Sequence, residues 1–259
     1  MTKKPFFIII IFSFLFFSAC VFLSSPYREL RPYILWGKNL PEQLGQITKI
    51  NNDRITVLIK GNEYIQPFYI DQIPVTIKDY KRCLKSGKCT FQHYRYNYTN
   101  FYLEKFYEIF PVTFVNWFDA RTYCNAYGGD LPTNYQWSLS AGLDYGFDYP
   151  WGSSLPNLSN ANLDGYYQML TPAGWLPKGA SPYGVLDMTG NVREWVLDEI
   201  YEDNDNKLLK GGGDNDSFSD GKIDTYFDHG PTSSGFNRGF RCVYPADAVY
   251  TDEKIQIDR

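Results

Sequence analysis

Apolar and polar positions change rhythm several times along this chain, and each rhythm predicts a different element. Residues 6–17, FFIIIIFSFLFF, form an almost unbroken apolar run behind Lys3 and Lys4. From Gln46, the run QITKINNDRITVLIKGNEYIQPFYIDQIPVT alternates apolar and polar positions around Asn51-Asn52-Asp53 and Gly61-Asn62. That alternation predicts short strands joined by tight turns. The period then lengthens. TIKDYKRCLKS (76–86) has a Thr cap, apolar positions at helical spacing and a stop at Gly87. NWFDARTYCNAY (116–127) predicts an amphipathic helix stopped by Gly128-Gly129, and a third helix begins in LPTNYQWSLSAG with Thr133 as its cap. Between the first two lies the polar, tyrosine-rich stretch HYRYNYTNFY. From about Tyr145 onward Gly, Asn, Asp and Ser dominate, so regular structure is expected to be sparse.

The apolar run has the form of a targeting segment, a charged start followed by a hydrophobic stretch of secretory-signal length. It ends in Ser18-Ala19-Cys20, which looks like a bacterial lipobox with Cys20 as the lipidated residue, although Phe17 stands where an aliphatic residue is usual. The alternative is an uncleaved anchor, because Phe6 to Leu23 is long enough to span a bilayer. Either way the folded part is expected outside the cytoplasm, on the outer side of the cytoplasmic membrane or at the outer membrane. The chain then divides into a signal segment (1–20), a linker (21–45), a folded domain (46–245) and a C-terminal tail (246–259).

Composition narrows the chemistry. Aromatics reach 18%, with 21 Gly and 15 Pro, so large rings are buried among many turns. A net charge of -4 with no long basic run argues against nucleic-acid binding. Only His93 and His229 are present, which excludes a multi-histidine metal centre. Setting Cys20 aside leaves Cys83, Cys89, Cys124 and Cys242, an even number that implies disulfides in an exported domain. Gly87 can turn the loop between Cys83 and Cys89. Cys124 and Cys242 would then tie the domain's start to its end. No CxxC pair or nearby His supports zinc instead.

Six blocks occur in order: PVTIKDYKRCLKSGKC (74–89), PVTFVNWFDARTYCNAYGGDLPTNYQWSLSAG (111–142), YPWG (149–152), SPYGVLDMTGNVREWVLD (181–198), LLKGGG (208–213) and GFNRGFRC (235–242). Together they resemble the formylglycine-generating enzyme, or sulfatase-modifying factor, family over residues 61–245. The resemblance implies an α+β fold: a single C-type-lectin-like domain with low regular secondary structure. It also implies the Cys124–Cys242 disulfide and a structural calcium ion. Asp187 and Glu194 match the family's carboxylate ligands, and Gly190 and Val192 match ligands that use backbone oxygens. Hard carboxylate and carbonyl oxygens suit calcium. A second family calcium follows an Ala-Asn block, here Ala161-Asn162, in a loop that this sequence shortens.

The family's oxidase chemistry uses copper(I) held by two cysteine thiolates, located between the LLKGGG and GFNRGFRC blocks. Residues 211–240 contain no cysteine, so no copper is expected. Arg193 replaces a tryptophan that borders the family's substrate groove, which is expected to turn that groove from aromatic to cationic. Asp228, His229 and Ser233 are triad residue types, but only geometry identifies a triad. Arg193, Tyr226 and His229 are the candidate groove residues. The leading expectation is a membrane-tethered, non-catalytic binding or scaffold module that recognises an envelope protein or glycan. An active formylglycine-generating oxidase and a structural envelope subunit are the alternatives.

Overall fold

Each of the three α-helices among the described residues starts at a capping box that its sequence announces. A computed structural model describes residues 47–50, 54–90, 105–199 and 205–247 of the chain. In it, α1 (Ile77–Lys85) is capped by Thr76 with Asp79 three residues on. α2 (Trp117–Ala126) is capped by Asn116 with Asp119, and α3 (Asn134–Ala141) by Thr133 with Gln136. In every case the cap side chain takes a first-turn N–H while the third residue returns to the cap's own N–H, satisfying donors that a helix start otherwise leaves free. α3 stops at Gly142, whose φ of 107° is left-handed.

Two four-stranded sheets carry the rest. The first joins β1 (Ile47–Ile50), β2 (Arg54–Ile59), β3 (Phe68–Asp71) and β8 (Val243–Pro245) in the order β1-β2-β3-β8, all antiparallel. Its strands come from opposite ends of the domain. The second takes β4 (Arg193–Glu199), β5 (Lys207–Lys210), β6 (Tyr226–His229) and β7 (Arg238–Phe240) in the order β6-β5-β4-β7. β4 is parallel to β7 and antiparallel to β5.

The expectation of sparse structure beyond Tyr145 holds to residue 192, where turns, one short 3-10 turn and isolated bridges prevail. It fails beyond that point, since the whole second sheet follows. Glu194 and Lys210, paired across β4 and β5, are both buried, so charged residues stand where an apolar alternation would have marked a strand.

The disulfides pair as expected. Cα atoms are 5.4 Å apart for Cys83–Cys89 and 5.5 Å for Cys124–Cys242. The second bond joins α2 to the strand segment before β8, inside a core where Tyr80 stacks on Tyr123 and both meet the edge of Phe240. Offset and edge-to-face contacts are the favoured arrangements of buried rings. The contacts divide the chain at Pro41, and Glu42–Arg259 forms the second unit. The signal segment with Cys20, the linker, His93 and most of the tail lie outside the described residues.

Candidate functional site

The middle of the fold is organised by buried charge. Arg241, between β7 and β8, is fully buried and uses its whole guanidinium. Nε donates to Glu194 Oε2 at 2.6 Å and Nη2 to Oε1 at 2.7 Å. The remaining donors reach the carbonyls of Asp71 (3.0 Å), Gln72 (3.2 Å) and Leu186 (2.8 Å). Trp137 Nε1 also donates to Glu194 Oε2 at 2.8 Å, so α3, β4, the first sheet and the 181–192 loop meet at one ion pair. A second buried pair, Arg54 with Asp71, joins β2 to β3, and Asp71 also accepts from the Cys242 N–H at 2.7 Å. Lys210, beside Glu194, donates to the Ile223 carbonyl at 2.7 Å and lies 5.4 Å from the Trp137 ring centroid. Burial lowers its pKa to about 8, against a smaller raising effect of Asp224.

Asp187 and Gly190 sit on the loop entering β4. Asp187 has a φ of 55°, and Gly190 has a φ of 80°. A Cβ at Gly190 would come within 2.3 Å of the Asn162 carbonyl oxygen, so a side chain is excluded there. The Asp187 carboxyl is buried and accepts from the Gly174 N–H at 2.5 Å. Burial pushes its pKa up to about 6, countered by Gly174 and Arg241 and reinforced by Glu194.

A calcium ion implied by family likeness therefore meets a divided donor set. Asp187 is a buried carboxylate short of positive partners and fits a cation. Glu194 is nearby, but its charge is already balanced by Arg241. Close by, around Asn191, the buried side-chain oxygens Asn162 Oδ1, Thr171 Oγ1 and Asp214 Oδ1 have no hydrogen-bond partner among the described residues.

The three candidate groove residues separate. Arg193, at the start of β4, pairs in register with Arg238 of β7. Its side chain lies over Phe227, 3.7 Å from the ring centroid. Nε and Nη2 grip the Asp216 carboxylate at 2.6 and 2.5 Å. The groove that Arg193 is expected to make cationic thus holds an ion pair at this residue. Its charge is neutralised by a residue 23 positions away, a pairing that no local spacing signals. His229 is on the same face, with Nε2 facing Arg238 Nη2 at 3.1 Å. Tyr226, half exposed, is an odd number of residues from His229 and so points to the other face of β6.

No serine–histidine–aspartate relay forms. Ser233 Oγ accepts from Arg238 Nη1, and the Asp228 carboxylate accepts from Asn206 Nδ2 at 2.7 Å. No spacing in the sequence marks Asp216, Phe227 or Arg238 as site residues, and Ser233 stands out there only as a triad residue type.

Residues 45–246 match the family described as sulfatase-modifying factor enzyme 1-like domain. The chain belongs to this family. Its relatives include the inactive C-alpha-formylglycine-generating enzyme 2 of Bos taurus, 33% identical over 52% of this chain and 50% of that one. Hercynine oxygenase of Mycolicibacterium smegmatis is 38% identical over 33% of this chain and 21% of its own. The chain thus spans half or less of these curated relatives.

Among solved structures, PvdO from Pseudomonas aeruginosa superposes with a TM-score of 0.60 at 16% identity, covering 78% of this chain and 98% of PvdO. CarF gives 0.59 at 21%, covering 79% and 97%. These likenesses establish the α+β, C-type-lectin-like fold. In this family member, both cysteine pairs of the described domain are oxidised, and residues 211–240 supply no thiolate.

Proposed function

We propose that this sulfatase-modifying-factor domain works by binding rather than by oxidation, as a membrane-tethered recognition or scaffold module of the cell envelope. One observation carries the reading. In the stretch where the family's copper cysteines would lie, this chain places Asp216, which pairs with Arg193, and no sulfur. Copper(I) requires soft ligands, and carboxylates, hydroxyls and one imidazole do not replace two thiolates. The naming of the bovine relative as inactive supports the same direction.

The tether rests on Lys3, Lys4, the apolar run and Cys20, all outside the described residues. Among the described residues no helix is long and apolar enough to cross a membrane. The partner proposed is an envelope protein or a glycan.

One preparation tests both halves of the proposal. Purified from membranes, the chain should carry a metabolically incorporated alkynyl fatty acid that Cys20→Ala loses. Copper-loaded and aerobic, it should leave a cysteine peptide with the sulfatase motif at its starting mass. Protein-dependent aldehyde formation would overturn the binding reading, and equal label in both chains would overturn lipid attachment.

Calcium is the proposed structural cofactor, held by Asp187 and the carbonyls of Gly190 and Val192, with Glu194 offering only the lone pairs left by Arg241 and Trp137. An ion bound by the folded state alone stabilises it by about 2.7 kcal/mol at a hundredfold excess over its dissociation constant. Calcium should therefore raise the melting temperature of the wild type and not of Asp187→Ala. Identical melting curves in chelator and in calcium would dismiss the ion.

A further inference from the structure

Arg238 is a half-buried guanidinium surrounded by the wrong kind of neighbour. Its hydrogen-bond partners among the described residues are neutral: Ser233 Oγ on Nη1 and His229 Nε2, 3.1 Å from Nη2. Its Nε is buried and has no hydrogen-bond partner among the described residues. In the next strand, directly in register, stands a second guanidinium, Arg193. Burial and Arg193 both disfavour the charge on Arg238, and among the described residues no carboxylate opposes them. His229 is pushed the same way, its pKa lowered by burial and then by Arg238 and Arg193, with Asp228 acting weakly in return.

The charge count of the cluster is decisive. Arg193 and Asp216 cancel through a two-point ion pair. Asp228 turns to Asn206 on the opposite face of β6. Among the described residues one positive charge, on Arg238, is left over, in a partly exposed setting bordered by Ser233 and His229. Arginine's planar fork is complementary to a carboxylate, and a charge-assisted pair is stronger than the neutral bonds it replaces. A single surplus charge next to Asp216 matches a monoanion better than a dianion.

We propose that Arg238, flanked by His229 and Arg193, is the receptor for a carboxylate group presented by this domain's ligand. The carboxylate competes with Ser233 Oγ for the guanidinium, and it brings to His229 the negative charge that its surroundings lack. This deepens the binding reading of the same loop region and rests on it. The source of the carboxylate is a small carboxylic acid or an acidic peptide.

Histidine proton NMR on the full chain tests the proposal, because His93 and His229 are the only histidines and His93 serves as internal control. The probes are acetate, a short peptide with a free C-terminal carboxylate, its amidated twin, inorganic phosphate, and chloride at matched ionic strength. The expected result is a saturable shift of the His229 ring signal, with a raised pKa, for acetate or the free-acid peptide. A response to acetate assigns a small acid. A response to the free-acid peptide alone assigns a chain terminus or acidic segment. Arg238→Gln, and independently Arg238→Leu, should lose the shift while their melting temperatures report that they fold.

No saturable shift, an equal shift with chloride, a preference for phosphate, or an undiminished shift in a folded Arg238 variant would each overturn the proposal. Failure here with no aldehyde product in the oxidase assay removes the carboxylate site alone. Aldehyde formation removes the non-catalytic reading regardless of the NMR result.

Discussion

Arg241→Met is expected to cost about 3–5 kcal/mol of folding stability, because it leaves the Glu194 carboxylate buried without its cation. Glu194 is fully buried in β4, and two of its strongest hydrogen bonds come from Arg241. The backbone carbonyls of Asp71 and Leu186 lose the Arg241 donor in the same stroke, while that of Gln72 keeps the Leu186 N–H. Trp137 Nε1 cannot compensate, since it supplies a single neutral N–H.

Glu194→Gln in the same chain should recover part of the loss. The amide keeps an acceptor for Trp137 and removes the uncompensated charge, so the pair of substitutions is expected to cost less than their sum. Urea unfolding followed by tryptophan fluorescence measures all three variants. An Arg241→Met loss under about 1 kcal/mol, or strict additivity, would show that the ion pair does not organise the core as argued.

Breaking the long disulfide is the second large effect. With both Cys124 and Cys242 replaced by Ser, stability should fall by about 2–5 kcal/mol. The bond spans 118 positions, whereas Cys83–Cys89 spans 6. In the chain-entropy treatment the long closure restricts the unfolded chain by over 4 kcal/mol and the short one by about 2 kcal/mol. The buried setting adds to this, because the pair lies among Tyr80, Tyr123 and Phe240. The test is the order of the two losses in parallel denaturation curves. If Cys83→Ser/Cys89→Ser proves the more damaging variant, the entropic argument fails.

What the sequence determined by itself was local, or was carried by recognisable blocks. Thr76, Asn116 and Thr133, each followed three residues later by Asp or Gln, marked the three helix starts, because a capping box is complete within four residues. The alternation after Gln46 marked the first three strands, because side chains alternate along an extended backbone. Cysteine parity and the family blocks were enough for both disulfides, and a run of 30 residues without cysteine removed the thiolate pair whatever the fold.

Only the tertiary structure decided the rest. The second sheet escaped the sequence pattern because Glu194 and Lys210 are buried charges, tolerated only where Arg241, Trp137 and the Ile223 carbonyl come from distant segments. Arg193 is a cationic replacement in the sequence and half of an ion pair in the fold. Arg238 read as one more residue of a family block and is the charge left without an opposite. Such pairings depend on strands brought into register from far apart, and no local period or spacing carries that information.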